Sequence, residues 1–200
     1  MYKGLERNGG VCMRRFEYGW IQSLSWDMDI LSLIAGIYRA NGKEEVLLSQ
    51  SPAILDSLVE LAKVQSTEAS NAIEGIVTTS TRLRQLVADK TTPRNRDEQE
   101  IMGYRDALNV IHESYDSISL CGNHILQLHK ILYNYQFNAR GGQLKSVQNY
   151  ISVTYPDGRT EVLFTPLAPY ETAEALDQIC GEYNRVVGNG EVEPLLAIPI

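Results

Sequence analysis

The spacing of apolar residues along the sequence changes at Gly141 and Gly142, and this change limits the folds that the chain can adopt. On both sides, apolar residues recur every three or four positions, which is typical of amphipathic helices. Between residues 148 and 164 apolar and polar residues alternate instead, as expected of strands. We therefore predict a mainly helical protein with one β-hairpin.

Capping signals predict where these helices begin and end. Asp27 caps a first helix that we expect to end at Asn41 and Gly42, and Ser51 and Pro52 begin a second that runs to Gly75. Four more helices are predicted over residues 80–88, 98–115, 125–133 and 171–187, and a last one begins near residue 191. The strands, 148–155 and 159–164, flank the turn residues Pro156, Asp157 and Gly158.

Charge and cysteine content exclude several classes of protein. Eighteen basic and 25 acidic residues give a net charge of −7, without a run of like charges, so no nucleic-acid partner is expected from this region. No apolar stretch approaches the roughly 20 residues of a membrane span, and the N-terminus lacks the apolar run of a signal peptide. Three widely spaced cysteines predict neither a disulfide framework nor a zinc site. We expect a cytoplasmic protein without a membrane partner.

The most unusual local feature is the pattern Ser70-x-x-x-Glu74-Gly75. Residues four apart lie roughly 40° apart around a helix, so Ser70 and Glu74 share one face, and Gly75 suits the position just after the helix end. A carboxylate there faces the negative end of the helix dipole, which costs about 0.3–1 kcal/mol. From spacing alone, a solvated glutamate beside an ordinary helix cap explains the pattern as well.

A family resemblance starts at this pattern, within STEASNAIEGI. It continues through NRDEQEIMGYRDALNVI, ILQLHKILY, GGQLKSVQNYI and FTPLAPYETAEALDQICGEYN, and covers roughly residues 15–200. The order of these segments resembles the Fic (Fido) domain family, in the class whose inhibitory helix precedes the Fic core. The resemblance implies a Fic-like helical bundle in which the hairpin is a flap.

The resemblance implies that the full-length parent is a protein adenylyltransferase, which transfers AMP from ATP, with Mg²⁺, to a hydroxyl of a target protein. The family's catalytic loop resembles His-Pro-Phe-x-Asp/Glu-Gly-Asn-Gly-Arg-x-x-Arg, and this sequence does not contain it. Gly188, Asn189 and Gly190 match its centre but lack the histidine and the arginine. We therefore expect a C-terminally truncated front part that has no catalytic or metal-binding residue, binds no cofactor tightly and is inactive alone.

The same resemblance assigns roles to residues that are present. The Glu74 carboxylate would pair with the second arginine of the catalytic loop and inhibit the enzyme, with Ser70 and Gly75 completing the motif; a bond from Ser70 to a nearby carbonyl is the alternative for that hydroxyl. Backbone groups of the flap would bind an extended segment of the target by β-augmentation. The flap residues are Tyr150, Ile151, Ser152, Val153 and Thr154.

The predicted organisation is a flexible N-terminus (1–14), an N-terminal helical region with the inhibitory helix (15–92), and the first part of the Fic core with the flap (93–200). The target protein is not identified, and a homo-oligomer stays open. Two other interpretations also stay open. One is a non-enzymatic helical interaction module, and the other is a Fic enzyme that transfers a different phosphate-containing group.

Overall fold

The computed structural model describes residues 18–50, 52–76, 78–88, 90–137 and 140–198. The predicted fold class is confirmed: the protein is mainly helical, with one two-stranded antiparallel sheet in the described part. The described residues form two compact units, one of residues 25–143 and one that combines residues 18–24 with 144–198. The functional division expected at residues 92 and 93 stays a prediction, and the expected flexible segment 1–14 lies outside the described residues.

Five helices build the unit of residues 25–143: α1 (Met28–Gln50), α2 (Pro52–Ile73), α3 (Ser80–Val87), α4 (Arg96–Ser114) and α5 (Gly122–Leu132). Its core lies where α3 meets α4, because both helices direct an apolar stripe inwards. Leu86 and Ile101 are almost fully buried there, and Leu83, Val87 and Met102 pack around them. Val64 of α2 is partly buried and packs against this core.

The start of α1 is confirmed, since the Ile30 N–H donates to Asp27 Oδ1 at 2.8 Å. Its predicted end at Asn41 and Gly42 is wrong, because α1 continues to Gln50. Glycine inside a helix costs only about 1 kcal/mol relative to alanine, and the lysine and glutamates that follow Gly42 are good helix formers. The proposed cap of α2 at Ser51 lies outside the described residues, although α2 does begin at Pro52.

The second unit holds a 3-10 helix (Gly19–Ser23), the strands β1 (Ile151–Thr154) and β2 (Thr160–Phe164), and the helices α6 (Pro169–Gly188) and α7 (Pro194–Ala197). Ile21, Val186 and Ala197 are buried in it, so the 3-10 helix and both later helices contribute to its core. Glu171 Oε2 accepts the Ala168 N–H at 2.9 Å and caps the start of α6. The predicted hairpin and the predicted helices on either side of it are therefore present.

In the part of the chain that the structure describes, none of the helices is both long enough and apolar enough to cross a membrane.

Candidate functional site

The end of α2 is closed by a two-bond cap around Gly75. The Ile76 N–H donates to the Asn71 carbonyl at 2.9 Å, and the Gly75 N–H donates to the Ala72 carbonyl at 3.0 Å. This is the Schellman arrangement, which needs a left-handed residue just after the helix, and Gly75 has φ +76°. The predicted position of Gly75 is confirmed, and the cap fixes where Glu74 leaves the helix.

Glu74 is the capping residue itself, and its side chain is exposed. Among the described residues, none donates a hydrogen bond or contributes a cation to its carboxylate. Within the described part of the chain, the oxygens of this carboxylate are open to hydrogen bonds from a cationic group. Charge-assisted bonds of this kind are the strong ones, and an arginine can supply two of them at once.

Ser70, one turn before Glu74, is bonded to another helix. Its Oγ lies 2.8 Å from the Oη of Tyr104 on α4, and Ser66 Oγ lies 3.3 Å from the same oxygen. The alternative bond from Ser70 to a nearby carbonyl is not the one observed. Tyr104 thus joins two turns of α2 to α4, which the sequence did not indicate.

Beyond the end of α2, a buried ion pair joins α3 to the start of α4. Arg82 Nε donates to Glu98 Oε1 at 2.9 Å, and Arg82 Nη2 donates to Glu98 Oε2 at 2.8 Å. The same guanidinium donates to Thr91 Oγ1 and, at 2.7 Å, to the Thr92 carbonyl, while the Arg94 N–H donates to Glu98 Oε2 at 2.7 Å. The hydrogen bonds from Arg82 lower the pKa of Glu98 to about 2, against the opposing effect of burial.

The sequence carries a signal for the start of α4. Asn95 caps α4, with its Oδ1 accepting the Glu98 N–H at 2.9 Å, so Asn95-x-x-Glu98 is a capping-box pattern. The pattern places the start of α4 at Arg96 rather than at Glu98. The side chains of Arg94 and Arg96 are exposed, and Arg96 is the first residue of α4.

The hairpin closes through a tight turn. The Gly158 N–H donates to the Tyr155 carbonyl, and the Tyr155 N–H donates to the Arg159 carbonyl, both at 2.9 Å. Pro156, Asp157 and Gly158 therefore form the turn that the sequence predicted. Arg159 also lies over the Tyr155 ring, 4.5 Å from its centroid, which adds a cation–π contact at the exposed tip.

The register of the hairpin shows which backbone groups are free. Val153 pairs with Glu161, two residues along from the hydrogen-bonded pair Tyr155 and Arg159. Because hydrogen-bonded and non-hydrogen-bonded pairs alternate in antiparallel ladders, the Val153 N–H points at β2. The residues whose N–H and C=O groups point away from the ladder are Ser152 and Thr154 on β1, and Thr160 and Val162 on β2.

The predicted flap residues lie in an exposed part of the hairpin. Tyr150 and Ile151 are 57% and 56% exposed, Ser152 and Thr154 are also exposed, and Val153 is half-buried. A register shift lies between Ile151 and Ser152, so the ladder is irregular at its base. The hairpin therefore offers open strand edges with apolar side chains, the combination that an extended peptide can join.

The Gly188-Asn189-Gly190 segment is a helix cap. The Gly190 N–H donates to the Val187 carbonyl and the Glu191 N–H to the Val186 carbonyl, which repeats the Schellman pattern at the end of α6. Asn189 Nδ2 donates to Glu191 Oε1 at 3.0 Å, so a carboxylate lies beside this turn. The N–H groups of Gly190 and Glu191 are bonded to helix carbonyls and are therefore not available to bind a phosphate.

Arg185 connects this cap to the body of α6. It donates to both carboxylate oxygens of Glu182 at 2.8 Å and to those of Glu191 at 2.7 and 2.9 Å. The Arg185 side-chain bonds lower the pKa of Glu182 to about 2. The Tyr18 N–H donates to the same Glu182 at 3.2 Å, so the described N-terminal residues are tied to α6.

No group of three metal-ligating side chains forms within the described ranges. His129 has a local role, since its Nδ1 accepts the Gly142 N–H at 2.9 Å and its ring meets Tyr133 edge-on. The fold thus brings Ser70, Glu74 and Gly75 together in the unit of residues 25–143, and places the flap residues in the other unit.

No protein-family model matches the chain, and no curated protein matches it. The assignment of a function therefore depends on the geometry of these residues and on the sequence resemblance.

Proposed function

We propose that this chain is the regulatory and target-positioning part of a Fic-type protein adenylyltransferase, and that Glu74 inhibits the enzyme. The observation that carries the proposal is the exposed Glu74 carboxylate, which has no counter-ion among the described residues and is held at a capped helix end beside Ser70. A surface glutamate at the negative end of a helix dipole is mildly destabilising, so its presence favours a role outside helix stability.

An arginine from the catalytic loop would relieve this unfavourable charge. It would bind both oxygens of the Glu74 carboxylate and would then be withheld from the γ-phosphate of ATP. Glutamine could offer only one oxygen, without charge, and would hold the arginine weakly. The histidine base, the magnesium ligand and the phosphate-binding glycines belong, in this proposal, to a loop outside the 200 residues.

The hairpin would hold the target. Its open edges present the backbone groups of Ser152 and Thr154 on one side and of Thr160 and Val162 on the other, and an extended target segment could pair with either. Backbone pairing fixes the position of a target hydroxyl without reading most of the target sequence. ATP chemistry and the absence of a predicted disulfide framework support a cytoplasmic location for the proposed enzyme.

The test uses the open reading frame that contains this chain. We expect Glu74→Gly to raise incorporation of AMP from α-phosphate-labelled ATP roughly 10- to 100-fold, since a hydrogen bond to a charged group contributes about 1.5–3 kcal/mol. Glu74→Gln should give a smaller rise. Glu68→Gln is the matched control, because Glu68 lies on the same helix, is also exposed and faces another direction.

Thermal melting of each variant separates regulation from loss of structure. A Glu74→Gly protein that stays folded and labels no faster than wild type would contradict the inhibitory role. If neither the wild type nor the variant incorporates AMP, the result would contradict the proposal that the full-length protein is an adenylyltransferase.

The interaction module is supported by a different observation, the exposed apolar side chains of α1. Leu33 and Ile37, one turn apart on one face of this helix, are 68% and 51% exposed. Surfaces of this kind often mark protein interfaces. This function is favoured if the folded wild type and the Glu74→Gly variant both fail to incorporate AMP.

A further inference from the structure

We propose that Tyr104 is a positioning residue that fixes the last two turns of α2, and with them the direction in which Glu74 points. The regulatory meaning of this inference rests on the proposed function, whereas its geometry does not. Tyr104 lies on α4 and makes no contact with the Glu74 carboxylate, so it would act only through α2.

The contact is a cluster of three hydroxyl groups. Tyr104 Oη lies 2.8 Å from Ser70 Oγ and 3.3 Å from Ser66 Oγ, and all three residues are half-buried. Tyr104 has one hydroxyl proton and can donate to only one serine, so the other serine donates to it. The two serines are one turn apart, and bonding both restricts rotation and sliding of α2 against α4.

The turn of α4 that carries Tyr104 is itself held in place. Gly103 lies against the Leu132 carbonyl of α5 so closely that a Cβ there would overlap the oxygen. Arg105 Nη1 donates to the Leu86 carbonyl at 2.7 Å, and Asp106 Oδ2 accepts the Tyr135 hydroxyl at 2.7 Å. Residues 103, 105 and 106 thus anchor the backbone on both sides of Tyr104.

The restraint passes from Ser70 to Glu74 through one helical turn. The two residues share a face, and the capping bonds at Asn71 and Ala72 lie between them. Without the Tyr104 hydroxyl, Ser66 and Ser70 would turn back to carbonyls of their own helix, which tends to bend helices. The capped end would then open more often and Glu74 would sample more directions.

The direct test is amide hydrogen exchange of the 200-residue chain with Tyr104→Phe. The ring stays and only the hydroxyl is lost. We expect the capped amides of Glu74, Gly75 and Ile76 to exchange about fivefold faster, the effect of losing one ordinary hydrogen bond. Tyr155→Phe is the matched control, because it also removes a tyrosine hydroxyl, one that donates to Glu161 Oε2 at 3.0 Å in the hairpin, and leaves the unit of residues 25–143 unaltered.

The inference is supported if the amides at the end of α2 exchange faster in Tyr104→Phe and not in Tyr155→Phe. Unchanged exchange there, or an equal increase throughout residues 25–143, would overturn it, because the hydroxyl would then have no local effect or only a general structural one.

A second arm tests the regulatory meaning in the longer reading frame. Tyr104→Phe should raise AMP incorporation in the wild-type background and have no further effect in the Glu74→Gly background. If Tyr104→Phe raises AMP incorporation in both backgrounds, Tyr104 does not act through Glu74. The same conclusion follows if Tyr104→Phe raises it in neither background although Glu74→Gly alone does. Failure of Glu74→Gly itself to activate would instead count against the proposed function, and the exchange result would still decide the positioning role.

Discussion

The guanidinium of Arg82 and the carboxylate of Glu98 meet at two points, Nε to Oε1 at 2.9 Å and Nη2 to Oε2 at 2.8 Å, inside the unit of residues 25–143. Both side chains are at least nine-tenths buried. The remaining donors of Arg82 reach Thr91 and Thr92, so one charged pair connects α3, the intervening segment and α4.

Glu98→Gln should lower the free energy of unfolding by about 3 kcal/mol, because it leaves the buried Arg82 charge without its counter-ion. Glu100→Gln is the matched control on the same helix. It removes a pair with Arg96, whose side chain is 79% exposed, and should cost less than about 1 kcal/mol. Urea unfolding of the three proteins measures both values, and equal effects would contradict the importance of burial.

Acid should destabilise the protein partly through Glu98. Its pKa is about 2 in the folded protein and near 4.5, the ordinary value for glutamate, in the unfolded chain. The folded state therefore binds fewer protons, and the stabilisation is complete above pH 4.5 and is lost as the pH falls towards 2.

The melting temperature of wild type should consequently fall through this window. That of Glu98→Gln should fall less, because the variant has no carboxylate at this position. Glu182, whose pKa is also lowered to about 2, titrates in both proteins, so their difference isolates Glu98. Parallel melting curves in the two proteins would contradict the assignment.

Two glycines in helices should respond oppositely to alanine. Gly103→Ala should lower the free energy of unfolding by about 3 kcal/mol, because its Cβ would overlap the Leu132 carbonyl and force α4 and α5 apart. Gly181 lies inside α6 with open space around its Cβ position, and Gly181→Ala should stabilise by up to about 1 kcal/mol. Chemical unfolding of both variants checks the contrast, and stabilisation by both would be inconsistent with the close helix contact.

The Thr67 hydroxyl should be dispensable for folding. Thr67 is fully buried, and its Oγ1 has no hydrogen-bond partner within the described residues. Thr67→Val keeps the shape without the unpaired oxygen and should raise the free energy of unfolding by about 1 kcal/mol. Thr67→Ser, which keeps the oxygen and loses the methyl group, should lower it, and a destabilised Thr67→Val would point to a hidden polar contact.

Proline should have different effects at the two kinds of position on β1, those whose N–H points outwards and those whose N–H points at β2. Ser152→Pro removes an outward N–H and should leave the hairpin formed, whereas Val153→Pro removes an N–H directed at β2 and should open it. Nuclear Overhauser contacts between residue 153 and Glu161 report the ladder. Loss of these contacts in both variants would contradict the deduced register.

The same variants test the flap in the proposed enzyme. Ser152→Pro should reduce target labelling while leaving nucleotide affinity unchanged, if the target pairs with β1. Val162→Pro removes the outward N–H of the opposite edge and should have that effect instead if the target pairs with β2. Target labelling that is unaffected by either variant would argue against backbone pairing.

Local signals in the sequence determined the main elements of the fold. The Asp27 cap, the glycine after α2 and the turn at Pro156–Gly158 act within a few residues, and each was predicted correctly. The end of α1 was not, because the cost of Gly42 is small against the helix formers around it. Ser70, Glu74 and Gly75 could be grouped on one helix end from spacing alone, since helical geometry fixes their relation.

Contacts between distant segments were decided only by the tertiary structure. Arg82 and Glu98 are 16 residues apart in the sequence, and Ser70 and Tyr104 are 34 apart. No sequence pattern near either residue of a pair indicates which distant residue it will contact. Helix periodicity shows that a face is buried but not which polar group of another helix meets it. The sequence therefore determined where Glu74 lies along α2, while the packing of α4 decided that a tyrosine hydroxyl holds the turn before it.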